Sequence, residues 1–454
     1  MFDCTHRLSH RAGPHHFTNI LIIGKQLSAT ICHSARPCCF CQNPRPINDS
    51  TPQHVVLNLS AVCPNNFKLN PLSSLRSLSR LLHLWLGLTL GVLLALLGLT
   101  GAALVFYIEI DSALHPIAQA AQVAPAADWD SPVWNNVLAT ARREFPDPHG
   151  EWSFEVNGEG GAIPARFYPS QEHLTHHSER EMVWFAADGQ QVLRSEPWGE
   201  YLMSWLYELH MHLLAGETGT LIVGWGGLAT LLILISGLVS WWPRGSWRKA
   251  LSFKSNAVSL RRLRDLHKLG GLWSLPLLLL LVFTGFLLTL PDVKQQLFTA
   301  LIVAPDPVPQ PRSTQSTGEQ IPLTQALAIG HAALPTAQLA FIDVPGAGDA
   351  PIRLRLQMPG DPHRRFPGSF VFVDQYTGQV LAVHDNSQGN TSTTIGKWIR
   401  PIHDGSILGV ATRVLAIVLG LLPTAMLITG FVFWQQRRRR QQLNTVSITP
   451  THRT

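Results

Sequence analysis

Four histidines recur at matched intervals in this 454-residue chain, and imidazoles in matched pairs can ligate a metal. His83 stands 17 residues before Thr100 of a Thr-Gly pair, and His267 stands 17 before Thr284 of another. Gly87 and Gly271 each follow their histidine by four residues, and Arg80 and Arg264 each precede it by three. The stretch LYELHMHLLAGETG carries two histidines, His210 and His212, and a second register chooses between them. From His210 the intervals run 6 to Gly216, 17 to Gly227, 27 to Gly237 and 31 to Trp241. From His403 they run 6 to Gly409, 17 to Gly420, 27 to Gly430 and 31 to Trp434. His210 therefore corresponds to His403, while His212 falls opposite Gly405.

These residues are positioned by a membrane. Only 14% of the chain is charged, against roughly a quarter in ordinary soluble domains. Residues 84–107, 220–242, 269–290 and 407–434 each offer the run of about 20 apolar residues that a spanning helix needs. None alternates as a barrel strand would. The link between the second and third runs, WWPRGSWRKALSFKSNAVSLRRLRD, is densely basic, and RRRR follows the fourth. The positive-inside rule places both, and both termini, in the cytoplasm. The formal charge of +6 is then a topology signal and gives no reason to expect nucleic acid.

The expected organisation is a disordered, Cys-rich extension over 1–75, a first span over 76–108 and an outer domain over 109–205. A second span (206–243), a basic cytoplasmic loop (244–265) and a third span (266–290) follow. A second outer domain (291–401), a fourth span (402–435) and a basic tail (436–454) complete it. SPVWNNVLATARREFP and IPLTQALAIGHAALP read as short amphipathic helices, each leading into strand-like runs. Those runs end in WFAADGQQVL and FVFVDQYTGQVLAV, where Asp-Gly and Thr-Gly suit hairpin turns. The predicted fold is an α-helical integral membrane protein with four transmembrane helices and two periplasmic α+β domains, built by tandem internal duplication. Each unit has an even number of spans, so the halves are expected to relate by a pseudo-twofold axis along the membrane normal.

That topology puts His83 and His267 near the cytoplasmic interface, at the start of outward-running spans. His210 and His403 fall near the periplasmic interface, where the inward-running spans open. Two facing imidazoles at one depth can supply both axial ligands of a haem iron. Zinc would want four ligands, or three and an open position. At about 3.6 residues per turn, Gly87, Gly91, Gly98 and Gly101 share the face of His83, where a porphyrin could lie. Small residues of that kind equally serve close helix packing. Arg413, about two turns into the last span, could bind a propionate or snorkel to the interface.

Other groupings are weaker. Cys38 and Cys41 have zinc-like spacing without a second half-site. His173, His176 and His177 read as a solvated loop. Trp85, Trp205, Trp225, Trp241, Trp242 and Trp434 suit an interfacial belt. No dinucleotide-binding fingerprint or P-loop is present, so an electron donor would be a cytoplasmic partner or a membrane quinol.

The motifs LHLWLGL with GLTG, LYELHMHLLAGETG with SGLVSWWPRG, LRDLHKLGG with FTG, and IHDGSILG with ITGFVFW resemble those of the PepSY-associated transmembrane family. The resemblance covers roughly residues 77–440, and VFVDQYTGQVL looks like a PepSY strand and turn. It implies an inner-membrane protein of the iron-regulated or ferric-siderophore reductase type, with periplasmic PepSY domains and two b-type haems. Carried onto this chain, the implied axial ligands are His83, His210, His267 and His403. Relatives commonly have Arg and a small residue at the positions of Met211 and His212, which keeps His212 open as an alternative ligand. The expected activity is reduction of a periplasmic ferric siderophore. The alternatives are a membrane-anchored PepSY module that binds a protease or envelope partner without redox chemistry, and a permease, for which broken helices and midplane charges are lacking.

Overall fold

The computed structural model describes residues 71–116, 127–158, 160–170, 180–314 and 318–446. Cys38, Cys41, His173, His176 and His177 lie outside the described residues.

Four helices are long and apolar enough to cross a membrane: Ser74–Leu104, Gly216–Trp241, Ser259–Thr289 and Val410–Leu443. They belong to α1 (Pro71–Leu104), α5 (Gly216–Trp241), α7 (Ser259–Thr289) and α11 (Val410–Val446). Most begin or end beyond the apolar runs read from sequence, because a helix satisfies its own backbone and its polar flanks can stay helical in the interface. The four pack in cyclic order, α1 against α5, α5 against α7, α7 against α11, and α11 back against α1. Gly98 and Gly420 bring α1 and α11 close enough that a Cβ at Gly98 would meet the Gly420 carbonyl. Those two glycines serve helix packing. Large apolar side chains such as Trp85, Trp225 and Trp273 stay exposed on the outside of the bundle, as lipid-facing residues should.

Between α1 and α5 the chain forms α2 (Tyr107–Leu114), α3 (Val133–Glu144), β1 (Glu151–Glu155), β2 (Ile163–Tyr168), β3 (Glu181–Phe185), β4 (Val192–Pro197) and α4 (Leu202–His212). A short helix, α6 (Trp247–Ala250), lies in the basic loop. After α7 the same order returns as α8 (Pro291–Leu301), α9 (Leu323–Ala333), β5 (Gln338–Val344), β6 (Ile352–Gln357), β7 (Ser369–Val373), β8 (Val380–His384) and α10 (Thr391–His403).

The two hairpin turns read from sequence are present. Gly189, at φ 71°, turns β3 into β4, and Gly378, at φ 75°, turns β7 into β8. At the second turn the Asp374 carboxylate accepts from the backbone N–H groups of Thr314, Tyr376 and Thr377. Burial works to raise its pKa, but these hydrogen bonds prevail and hold it at about 2.

The outer segments depart from the expectation of two domains. β1 and β5 pair antiparallel, Trp152 opposite Val344 and Phe154 opposite Ile342, so the halves share one eight-stranded sheet ordered β4-β3-β2-β1-β5-β6-β7-β8. One apolar core runs under both, with Trp134 and Val137 of α3 and Leu323 and Leu327 of α9 packed on Phe154, Ile342 and Leu354. Without that pairing β1, buried along four of its five residues and carrying Trp152 and Phe154, would present an unpaired strand edge.

The start of the second and fourth spans also differs. Residues 206–243 and 402–435 are each broken near their beginning rather than continuous. α4 ends where Leu213 and Leu214 take positive φ of 49° and 56°, and α5 begins two residues later. α10 ends at His403, and the turn to α11 passes through Gly405 and Gly409 at φ 77° and 72°. His210 and His403 therefore sit in the last turns of separate helices instead of opening the spans.

Candidate functional site

The bundle brings the four repeated histidines into two pairs. His83 of α1 and His267 of α7 have ring centroids 6.2 Å apart. His210 of α4 and His403 of α10 stand 6.5 Å apart at the end of the bundle that carries the sheet. In both pairs the residues come from opposite halves, His83 and His267 from helices on a diagonal of the bundle.

Each ring is held in the same way by a neighbouring helix. His83 Nδ1 bonds the Ile233 carbonyl at 3.0 Å, and a Cβ at Gly237 would sit 2.9 Å from its Cε1. His267 Nδ1 bonds Thr429 Oγ1 at 2.9 Å, with Gly430 as its slot. His210 Nδ1 bonds Thr100 Oγ1 at 3.0 Å, with Gly101 as its slot. His403 Nδ1 lies 3.0 Å from the Leu281 carbonyl and 3.3 Å from Thr284 Oγ1, with Gly285 as its slot. The glycine slots, and the Thr100 and Thr284 partners of the outer pair, thus repeat at the sequence intervals that relate the histidines, while at the inner pair His83 uses the Ile233 carbonyl and His267 the Thr429 hydroxyl.

The acceptors fix the tautomers. Carbonyls can only accept, and the hydroxyls of Thr100 and Thr429 already donate to helix carbonyls at 2.9 and 2.8 Å. Each imidazole therefore carries its proton on Nδ1 and keeps a lone pair on Nε2. Among the described residues no hydrogen bond engages that nitrogen in any of the four. An outer hydrogen bond that sets the tautomer and raises ligand basicity is the usual companion of a metal-bound imidazole.

The gaps fit one metal each. An iron bonded to two imidazoles at about 2 Å would hold their centroids roughly 6.3 Å apart. Among the described residues no group of three or more His, Cys, Asp or Glu could hold a metal ion, so the donor sets are pairs. Pairs suit a porphyrin, which supplies the equatorial donors itself. At the inner pair, a Cβ at Gly87, one turn beyond His83, would meet nothing within 4 Å. Trp241, one turn beyond Gly237, has a buried Nε1 with no partner, as does the Ser240 hydroxyl beside it. Both are donors that a propionate would satisfy.

His212, the alternative, points elsewhere. Its Nδ1 lies 2.6 Å from Thr220 Oγ1, and its ring packs 6.5 Å from Tyr207. Arg413 is likewise engaged. It forks onto Glu109 at 2.5 and 2.8 Å, caps the Val105 carbonyl and stacks 4.0 Å over Phe106. That pairing closes α11 on the end of α1, and a propionate would have to displace Glu109 to use it.

The threonine and carbonyl partners and the glycine slots were not read as such from sequence. The Thr-Gly pairs at 100–101 and 284–285 were the available signal, and their meaning needed the opposing helix.

Residues 80–437 match the family described as PepSY-associated TM region. The chain is also 27% identical over 262 residues to an uncharacterized protein of Pseudomonas aeruginosa, covering 51% of this chain. It spans 63% of that relative's length.

Proposed function

Given that this chain belongs to the PepSY-associated TM family, we propose that it is a di-haem electron-transfer protein of the bacterial inner membrane that reduces a periplasmic ferric chelate. The observation that carries this reading is the pair of His–His gaps, 6.2 and 6.5 Å, each flanked by imidazoles whose Nε2 lone pairs are free. The repeated element order and the repeated glycine slots support a tandem duplication as the origin of both sites.

The basic loop and the 437–440 arginines, in the last turns of α11, lie at the end of the bundle opposite the sheet, which supports a cytoplasmic placement for them and a periplasmic one for the sheet. His83 and His267 would hold the cytoplasmic-side haem, and His210 and His403 the periplasmic-side one. His83 and Gly101 are eighteen residues apart on α1, about 27 Å at 1.5 Å per residue, so the two sites together cross most of the membrane. Haem, when bound, supplies one-electron transfer at its iron. The protein's own part is placement: imidazole slots at glycine, fixed tautomers, and apolar helices that exclude water. Electrons would come from a quinol or a reduced cytoplasmic partner, and one electron converts Fe(III) of the chelate to Fe(II).

A reduced-minus-oxidised spectrum with a pyridine-haemochrome assay tests the reading. Two low-spin haems per chain are expected, with reduction of a ferric siderophore by membranes given a donor. Protein from haem-replete cells that is folded and haem-free would refute it, and would leave a PepSY binding role for the sheet.

A further inference from the structure

A cleft of about 270 Å³ opens in the second half of the outer region, between α8, α10 and the β7–β8 side of the sheet. Its walls include Phe298, Phe366 and Phe370, with Lys294, His384 and Lys397 around them. The nearby carboxylates are occupied. Asp306 accepts from Asn390 and Thr393, Asp361 faces Lys397 at 3.6 Å, and Asp404 bonds His363 at 3.0 Å. Two cations have no such partner. The Lys294 ammonium makes no hydrogen bond or ion pair among the described residues, and the Arg400 guanidinium only stacks on Phe366 at 5.0 Å. Burial, and then the charge of Arg400, hold the Lys294 ammonium below the ordinary lysine range, so the two cations are close enough to repel.

Two neighbouring cations with no anion between them are unfavourable in the free protein unless something else requires them. The first half shows that the fold does not. By the intervals that relate the halves, Lys294 corresponds to Ile110, Lys397 to Ser204 and Arg400 to Tyr207. There the equivalent region is filled: Tyr201 and Met203 are buried, packed by Tyr107, Ile110 and Trp184. The cleft and its cations therefore belong to one half alone.

We propose that this cleft is the docking site for the electron acceptor, and that the acceptor is an anionic, carboxylate-bearing ferric chelate. The inference rests on the di-haem reading for the reaction, but the binding itself does not require haem. Lys294, on the lining, meets one carboxylate; Arg400, exposed outside the lining and stacked on the Phe366 wall, meets another at the rim, and the phenylalanine walls take the apolar part of the chelate. A cavity this size takes one arm of a chelate and leaves the iron at its mouth. α10 links the two sites directly: Lys397 and His403 are six residues apart on one helix, about 9 Å along its axis.

The test is titration of haem-loaded, detergent-solubilised full-length protein with gallium(III) citrate, a redox-inert stand-in, by calorimetry. One complex should bind per chain, and Lys294→Gln and Arg400→Gln should each weaken it tenfold or more, as loss of a charged hydrogen bond does. Lys294→Arg should restore binding, Lys294→Gln should keep both haem spectra, and a neutral gallium tris-hydroxamate should bind at least tenfold more weakly than the citrate. Unchanged affinity in the folded, haem-loaded Lys294→Gln protein would overturn the proposal. So would displacement of the citrate complex by phosphatidylglycerol, which would assign the cations to a lipid headgroup. Haem-free protein that still binds gallium citrate through Lys294 would sink the electron-transfer reading and leave the cleft standing.

Discussion

Adding one methyl group at each imidazole slot should produce a graded loss of haem, and the order follows from four distances. A Cβ at Gly285 would lie 2.7 Å from His403 Cε1, at Gly101 2.9 Å from His210, at Gly237 2.9 Å from His83, and at Gly430 3.2 Å from His267. Ordinary carbon contacts begin at about 3.4 Å, so the rings must retreat by roughly 0.7, 0.5, 0.5 and 0.2 Å. Metal–ligand distances tolerate about 0.2 Å, and the Nδ1 hydrogen bonds resist sliding. Gly285→Ala should then lose the periplasmic-side haem or leave it high-spin, Gly101→Ala and Gly237→Ala should weaken their respective haems, and Gly430→Ala should keep both. The assay is haem stoichiometry with the low-spin band position for each variant. Gly98→Ala is the control, because its Cβ would meet the Gly420 backbone and no histidine. It should lower thermal stability by about 1–3 kcal/mol through overpacking and leave the spectrum of the surviving protein alone. Gly285→Ala with two normal haems, or Gly430→Ala as the most damaging of the four, would refute the slot argument.

His210→Ala should remove only the periplasmic-side haem, while His212→Ala, which loses the bond to Thr220, should keep both; the haemochrome assay decides, and the reverse outcome would make His212 the ligand. Arg413→Gln should leave both spectra and potentials in place and cost about 1 kcal/mol or less, since its ion pair with Glu109 is part-exposed; a shifted potential on redox titration would show a propionate contact instead. Asp374→Asn should destabilise the sheet by about 1–3 kcal/mol near neutral pH, read by thermal unfolding. Because the Asp374 pKa is depressed to about 2, its contribution is present above the unfolded value of about 4 and is lost as pH falls from there through 2. The variant should lack that part of the acid transition, and an unaltered acid profile would count against the turn's role.

What could be read without coordinates was whatever repeats or is local. Apolar length gave the spans, Asp188-Gly189 and Thr377-Gly378 gave the hairpin turns, and matched intervals paired the histidines before any contact was known. The break before α5 was hidden for a physical reason, whereas Gly405 and Gly409 marked the one before α11. Leu213 and Leu214 read as continuous apolar helix, yet they adopt left-handed backbone, which sequence normally announces with glycine. The joined sheet was hidden because the pairing of Trp152 with Val344 is non-local, and nothing in either strand names its partner. The cleft was hidden because Lys294, Phe366 and Lys397 come from three separate elements that converge only on folding.

The two histidine pairs are held by different means, and the joined sheet explains why one of them is exact in spacing despite its position. His83 and His267 sit within continuous spans, so helix packing alone sets their gap. His210 and His403 instead lie in the last turns of α4 and α10, which follow β4 and β8, the two outermost strands of the sheet. Those strands are seven ladders apart, about 33 Å at 4.7 Å each, yet the helices that leave them converge to rings 6.5 Å apart. Two separate outer domains could drift and carry the rings with them. Pairing β1 with β5 removes that freedom, since any relative motion of the halves would have to break ladder hydrogen bonds and open the shared core. The sheet is thus the brace for the outer pair, and the same brace fixes the cleft on α10 relative to His403.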